Sequence, residues 1–221
     1  MTLFPTATFI LAVLQALAVY KNWFKLEIIA KPGVMVALFL WLFTSAGLDG
    51  ALLWFGAGIL LSLVGDVLLM ISPEKFFLAG LAAFLLAHMA YIVGFNIPLP
   101  EMNFFGIVFA VMIGLGGARI IRRILDRLPA TGQGQMRLPI ILYSAVISVM
   151  LLSAMLKLVD ISWSANAAAL ASIGAFLFYL SDIILAWNKF VAPIPHGRIY
   201  NIAAYHLGQI ALIAGVIAQF S

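Results

Sequence analysis

Two aspartates, Asp66 and Asp182, lie inside strongly apolar stretches, and they are the residues best suited to chemistry. A carboxylate within the hydrocarbon of a bilayer costs roughly 2.5–3.5 kcal/mol on insertion scales, so such residues are rare and mostly functional. Two carboxyl groups that share one proton supply an acid and a base at the same site. The pair therefore indicates either acid–base catalysis or the movement of protons within a membrane.

The composition indicates that membrane-spanning helices carry these aspartates. Of the 221 residues, 65% are hydrophobic and only 9% are charged, whereas a soluble domain has about 25% charged residues. No polar segment is long enough to form a soluble domain, so residues 1–221 are predicted to form a single transmembrane domain. Cysteine is absent, which excludes thiol catalysis. Nucleic acid is not an expected partner, because the basic residues form no continuous patch.

Eight segments are long and apolar enough to span a membrane, which takes about 20 residues. The predicted fold is therefore an all-α, polytopic integral membrane protein. We expect Pro32 in the first turn of the second helix, where a proline loses no helical hydrogen bond. The predicted helices are 5–20, 32–47, 51–71, 76–96, 103–122, 138–157, 164–187 and 199–219.

The basic residues predict the orientation of these helices. Every lysine and arginine except Lys157 falls in or beside an odd-numbered connection between helices. Loops rich in lysine and arginine stay in the cytoplasm. We therefore expect a multi-pass protein of the cell (inner) membrane, with both termini outside.

A weak internal repeat relates the two halves of the chain. Residues 82–94 align with residues 203–215, and each segment follows a helix that contains one of the aspartates. A Lys-Phe pair also follows each aspartate, at Lys75 and Lys189. The pattern predicts a 4+4 parallel pseudo-repeat, an arrangement that places sites at the interface between the repeats.

The aspartates are predicted to lie in one layer of the membrane. At about 1.5 Å of rise per residue, Asp66, Asp182 and His206 lie roughly 10–13 Å from the nearest basic residue on the cytoplasmic side. Gln209 is predicted to lie one turn deeper, and His88 deeper still. We expect eight polar residues to position substrate or water around the aspartates: Lys31, His88, Tyr91, Tyr143, Tyr179, Tyr205, His206 and Gln209.

Each of these residues also has a structural interpretation. Polar side chains in membrane helices commonly hydrogen-bond between helices, and Lys31 alone is best explained as an anchor at the membrane surface. The basic residues from Arg119 to Arg137 are most simply topology determinants, with lipid phosphate contact as the second interpretation. No metal or cofactor is predicted, since the histidines lack the spacing of a zinc site.

Five short motifs combine the residues named above: Lys31-Pro32, Gly65-Asp66-Val67-Leu68-Leu69, His88-Met89-Ala90-Tyr91, Tyr179-Leu180-Ser181-Asp182, and Tyr205 with Gln209. Together they resemble the motifs of the YhhN family, the bacterial relatives of the animal TMEM86 lysoplasmalogenases. The resemblance covers nearly the whole chain and includes the number of helices. It implies hydrolysis of the vinyl ether bond of lysoplasmalogens to a fatty aldehyde and a glycerophospho-headgroup.

The resemblance also implies roles for the polar layer. Asp66 and Asp182 become an acid/base pair, without an assignment of which is which. The substrate is then a lysophospholipid or another ether lipid within the bilayer, and Lys31 is placed to hold its phosphate at the cytoplasmic mouth. Two other classes fit the same residues: a proton-coupled transporter or lipid-handling protein, and a zinc-dependent lipid hydrolase. The sequence leaves the oligomeric state open.

Overall fold

The computed structural model describes residues 3–72, 74–100 and 103–221, apart from the side chain of Thr131. Eight long helices account for most of these residues, and no strand occurs among them. Each helix is long and apolar enough to cross a membrane, which confirms the predicted fold class. The helices are α1 (Leu3–Lys21), α2 (Phe24–Ala46), α3 (Ala51–Ile71), α4 (Phe77–Phe95), α5 (Phe104–Arg127), α6 (Arg137–Leu156), α7 (Ala165–Phe190) and α8 (Gly197–Phe220).

The second helix begins earlier than the sequence predicts. It starts at Phe24, and Pro32 lies within it rather than at its entry. The preceding turn is tight because Asn22 adopts a left-handed conformation with φ of 56°, which asparagine tolerates better than most residues. Lys31 consequently lies on the wall of a helix and not in a loop.

Side-chain caps fix the start of two other helices. The Asn103 side chain accepts a hydrogen bond of 2.9 Å from the backbone N–H of Gly106 at the start of α5. Ser164 accepts one of 3.3 Å from the backbone N–H of Ala167 at the start of α7. Both residues are typical helix caps. Both helices then run beyond their predicted ends, so the arginines predicted for the fifth connection lie largely on α5.

Helices α7 and α8 form the closest pair in the bundle, because glycines line their interface. A Cβ atom at Gly174 would lie 2.2 Å from the backbone nitrogen of Leu212, and one at Gly208 would lie 2.7 Å from the nitrogen of Phe178. Small residues allow membrane helices to approach this closely. The contact fixes the position of Asp182 on α7 relative to Tyr205 on α8.

An aromatic cluster joins α4, α7 and α8. The ring of Phe178 lies 6.3 Å from that of Phe84 and 5.2 Å from that of Tyr205, with the rings near perpendicular. Edge-to-face contacts of this kind add stability beyond the burial of apolar surface. Around this core, α3 packs on α4, α1 on α2, and α6 against α4, α5 and α7. The 4+4 repeat and the outward termini stay predictions.

Candidate active site

A polar cavity of about 580 Å³ lies between α2, α3, α4, α7 and α8. It lies toward the basic end of the bundle, the end at which α1, α3, α5 and α7 finish and which the sequence predicts to be cytoplasmic. Asp66 and Asp182 both line this polar cavity. The structure therefore brings the two membrane carboxyl groups, which are 116 residues apart in the sequence, to the same space.

Asp66 forms a buried ion pair. Its carboxyl oxygens lie 2.9 Å from the Nζ atom of Lys31 and 2.8 Å from the hydroxyl of Tyr205, which donates to it. The Asp66 side chain is only 2% exposed, and that of Lys31 is 15% exposed, toward the cavity. An ammonium this close supplies the counter-charge that an ionised carboxylate needs when it leaves water.

Asp182 has a different environment. Tyr143 donates a hydrogen bond of 2.5 Å to its Oδ2 atom, and His88 Nε2 lies 3.3 Å from the same oxygen. His88 Nε2 also lies 3.0 Å from the Tyr143 hydroxyl, so the three groups form a closed triangle. Within the described part of the chain, His88 Nδ1 has no hydrogen-bond partner. The partners of Asp182 are thus a tyrosine and a histidine, whereas Asp66 is paired with the cation of Lys31.

A second polar layer lies behind Asp66 and outside the cavity. Tyr91 donates a hydrogen bond of 2.7 Å to the Gln209 side chain, and Gln209 donates one of 3.1 Å to the Ser62 hydroxyl. All three side chains are buried, and they connect α3, α4 and α8. Ser62 and Asp66 are four residues apart on one face of α3, so this layer supports the part of α3 that carries Asp66. None of its three residues lines the polar cavity.

His206 is turned away from the carboxyl groups. Its Nε2 atom contacts the Gln15 side chain of α1, and it is not among the residues that line the cavity. The reason is the helical rotation of about 100° per residue. Since Tyr205 points at Asp66, its neighbour His206 must point toward a different helix. Its predicted role in positioning substrate or water therefore has no support in this structure.

Tyr179 lies beside a second, apolar space. This apolar slot lies between α4, α5, α6 and α7 and is lined chiefly by isoleucine, leucine and phenylalanine side chains. Asp182 and Tyr143 line it as well. Five residues border both the slot and the polar cavity, and Asp182 is the one ionisable residue among them: Leu69, Phe77, Phe84, Asp182 and Leu185. Asp66 lines only the polar cavity.

The mouth of the polar cavity carries charged residues that the sequence analysis missed. Arg198 forms an ion pair of 2.5 Å with Glu27, and Lys189 and Asn188 lie nearby on the cavity wall. Glu27 is buried, although it lies near the start of α2. The missed signal was its spacing, since Glu27 and Lys31 are four residues apart on one helix face. Lys31 itself is paired with Asp66, so Arg198 and Lys189 are the basic residues at the mouth of the polar cavity.

Among the residues that the structure describes, no group of three or more histidine, cysteine, aspartate or glutamate side chains is arranged to hold a metal ion. The two histidines near the layer also point to different places. His88 contacts Asp182, whereas His206 contacts α1. The groups that meet at the site are two carboxyl groups, a tyrosine–histidine pair and a lysine.

Comparison with known proteins gives the family. The family model described as "YhhN family" matches residues 26–216. This chain belongs to the YhhN family. The YhhN match includes both aspartates and every residue predicted for the site. No solved structure matches the chain significantly.

The curated relatives of this YhhN protein are named for one activity. It is 29% identical to human "Lysoplasmalogenase TMEM86B" over 86% of this chain and 74% of the relative. It is 31% identical to the mouse protein of the same name over 89% of this chain and 76% of the relative. A Mycobacterium tuberculosis protein named "Lysoplasmalogenase" is 29% identical over 62% of this chain and 50% of the relative.

Proposed function

We propose that this YhhN protein is a lysoplasmalogenase-like hydrolase that cleaves the vinyl ether bond of a lysolipid within the membrane. The observation that supports this most is the position of Asp66 and Asp182 on one polar cavity, together with an apolar slot that Asp182 also lines. A lysolipid has the same division into a polar headgroup and an apolar chain. The names of the curated relatives support the same activity.

Vinyl ether hydrolysis requires a proton donor and a base at one site. The donor adds a proton to the alkene carbon further from the ether oxygen, which gives an oxocarbenium ion. Water adds to the carbon next to the oxygen and loses a proton to the base, and the resulting hemiacetal collapses to an aldehyde and a glycerol hydroxyl. In that collapse the protonated base returns its proton to the departing glycerol oxygen, and the ionised donor takes the proton of the hemiacetal hydroxyl. One water is consumed, and both carboxyl groups are then back in their starting states. Glycosidases handle oxocarbenium-like transition states with a similar carboxyl pair.

The geometry favours Asp182 as the proton donor. The carbon that takes the proton lies on the chain side of the ether oxygen, and Asp182 is the carboxyl that borders the apolar slot. Tyr143 and His88 both contact its Oδ2 atom. Its Oδ1 atom, 3.5 Å from the Ser181 hydroxyl, is the oxygen that we propose to carry the transferred proton. Positioned proton transfer of this kind contributes typically 10²–10⁴-fold to a rate.

Asp66 is the proposed base and electrostatic partner. Lys31 and Tyr205 both stabilise its carboxylate form, at 2.9 Å and 2.8 Å. A carboxylate on the headgroup side of the cavity is placed to accept the proton of the attacking water and to stabilise the positive charge of the oxocarbenium ion. Lys31 then has an orienting and electrostatic role rather than the phosphate-binding role predicted from sequence.

The cations at the mouth are the proposed headgroup site. Arg198 and Lys189 line the polar cavity at its basic end, and arginine and lysine are the usual ligands of phosphate. A phosphate bound there leaves the glycerol and the vinyl ether bond pointing toward Asp182. This arrangement places the headgroup at the face that we propose to be cytoplasmic, in a protein of the inner cell membrane.

The direct test is aldehyde release from lysoplasmalogen by the purified protein in detergent micelles. We expect an aldehyde and a glycerophospho-headgroup in equal amounts, and no turnover by Asp182→Asn or Asp66→Asn. Activity that survives treatment with a metal chelator would count against a zinc-dependent hydrolase. Near wild-type activity in either folded aspartate variant would contradict the proposed mechanism, and flux across liposomes without product would favour a transporter.

A further inference from the structure

A buried carboxylate lies at the mouth of the polar cavity, beside the basic residues of the proposed headgroup site. Glu27 of α2 lines the cavity together with Arg198 and Lys189. Its Oε1 atom lies 2.5 Å from the Nη2 atom of Arg198. Vinyl ether hydrolysis uses Asp66 and Asp182 and gives Glu27 no task. A carboxylate next to a phosphate site is also costly, because it repels the anion that the arginine is placed to bind.

The two partners of this ion pair differ in their exposure to water. The side chain of Glu27 is 6% exposed, whereas that of Arg198 is 62% exposed. Arg198 can therefore turn to a ligand and stay hydrated, but Glu27 is fixed in the cavity wall. A guanidinium has five N–H donors and a carboxylate has two acceptor oxygens. The contact between Nη2 and Oε1 therefore uses only part of either group, and each can accept a second partner.

The other cations of the cavity wall have different neighbours. The Nζ atom of Lys31 lies 2.9 Å from the Asp66 carboxyl. The Nζ atom of Lys189 lies 4.3 Å from the centre of a phenylalanine ring on α4. Among the described residues that line the cavity, Arg198 is thus the basic side chain that forms an ion pair with Glu27. A ligand that engages Arg198 acts directly on the charge balance of Glu27.

Binding of a phosphate by Arg198 leaves Glu27 in need of another cation. A buried carboxylate that loses its counter-charge is strongly destabilised. A headgroup that contains an ammonium group as well as a phosphate supplies the replacement, because its two charges pair with Glu27 and Arg198 at once. A headgroup with a phosphate alone brings a second anion to the mouth and offers the carboxylate nothing.

An aromatic ring lies on the same side of the mouth as the carboxylate. Phe24 lies three residues before Glu27 on one face of α2, and it is exposed and lines the polar cavity. The face of an aromatic ring attracts an ammonium group. Lys25 is exposed and is not among the residues that line the cavity. The mouth therefore has an anionic and aromatic side on α2 and a basic side on α7 and α8, which is the charge pattern of a zwitterion.

We propose that Glu27 selects the headgroup of the substrate by binding the ammonium group of a zwitterionic lysolipid whose phosphate is bound by Arg198. The inference rests on the proposed function, since it takes the headgroup to lie at the mouth of the polar cavity. Binding exchanges one ion pair for two, so that Glu27 has a cation both before and after the substrate enters. A headgroup without an ammonium group forms only one of the two pairs.

The test compares two alkenyl lysophospholipids that differ by one charge. One has an ethanolamine headgroup, and the other is its N-acetyl derivative, which keeps the phosphate diester and lacks the ammonium group. We expect kcat/KM of the wild type to be at least about tenfold higher for the amine, the worth of one hydrogen bond between charged groups. Glu27→Gln keeps the shape of the side chain and should lower this ratio about tenfold. The matched control, Glu74→Gln, changes an exposed glutamate outside the cavity and should keep the wild-type ratio.

The design is protected from folding defects. Glu27→Gln leaves only the exposed Arg198 without its partner, so we expect the variant to fold. A ratio is also independent of the folded fraction, because unfolded protein turns over neither substrate. Equal kcat/KM for the two headgroups in the wild type would overturn the inference whether or not the variant folds. A Glu27→Gln protein that keeps the full preference for the amine would overturn it as well.

Binding without turnover separates this inference from the proposed function. Saturated 1-O-alkyl lysophospholipids with the same two headgroups have no vinyl ether bond, so their dissociation constants can be measured in the same detergent micelles. We expect the wild type to bind the amine more tightly and Glu27→Gln to lose this difference. That result in a protein that hydrolyses no lysoplasmalogen would refute only the activity. Equal affinities in a wild type that does hydrolyse lysoplasmalogen would overturn the role of Glu27 and leave the proposed function intact.

Discussion

Replacement of Lys31 by methionine should destabilise the protein strongly, because it leaves the Asp66 carboxylate buried without its cation. The two charges are 2.9 Å apart, and unit charges at that distance attract by about 6 kcal/mol at an effective dielectric constant of 20. Desolvation of both ions offsets part of this attraction. Removal of one partner of a buried pair typically costs about 3–5 kcal/mol, and this is the loss that we expect in the free energy of unfolding.

The assay is unfolding of the purified protein by increasing SDS in mixed micelles, followed by tryptophan fluorescence. Two comparisons isolate the ion pair. Lys25→Met changes an exposed lysine of the same helix and should alter stability by less than about 0.5 kcal/mol. The double variant Lys31→Met/Asp66→Asn removes both charges and should recover most of the lost stability, because a neutral pair has no uncompensated charge.

Two results would refute this reasoning. One is a Lys31→Met protein as stable as Lys25→Met, which would mean that Asp66 needs no cation. The other is a double variant no more stable than Lys31→Met alone, which would mean that lysine stabilises α2 by packing and not by charge. The ion pair would then lose its proposed role of holding Asp66 ionised.

Three further changes test other parts of the site. Tyr143→Phe removes the 2.5 Å hydrogen bond to Asp182. We expect kcat to fall about tenfold, and an unchanged kcat would show that Tyr143 does not position the proton donor. Arg198→Gln should raise KM with little change in kcat if Arg198 binds only the headgroup, and a selective loss of kcat would contradict that role. Partial burial acts to raise the pKa of Asp160 at the far end of the bundle, but hydrogen bonds, chiefly from Lys157, hold this pKa below its usual value. The stability that Asp160 contributes is therefore complete at neutral pH and is lost as the pH falls below about 3.8. The Asp160→Asn protein should unfold more easily than the wild type at neutral pH, but not in strong acid, and its kcat should be unaffected.

Much of the fold could be predicted from the sequence, because a bilayer permits few solutions. Only helices satisfy their own backbone hydrogen bonds in lipid, so apolar length and charge were enough to predict eight of them. The boundaries were less predictable. Pro32 was expected at a helix entry, but it lies inside α2, since the sequence alone does not show where a two-residue turn precedes it.

The sequence was enough to predict the depth of the two aspartates in the membrane, but not the direction in which the neighbouring side chains point. Helical rise placed Asp66 and Asp182 in one layer, and both line the polar cavity. The same estimate predicted His88 to lie deeper than the aspartates, and did not reveal that its side chain contacts Asp182, because helical rise gives the depth of the backbone and not the direction of the side chain. Whether His206 faces the cavity or α1 depends on the rotation of α8, which is set by close packing against α7 and is not visible in the sequence.

The central claim is that Asp66 and Asp182 act together as the acid and base of vinyl ether hydrolysis. The most direct measurement is aldehyde release from lysoplasmalogen by wild type, Asp66→Asn and Asp182→Asn, each checked for folding by SDS titration. We predict turnover by the wild type and a loss of at least about 100-fold in each folded variant. Near wild-type turnover in either folded variant would contradict the account.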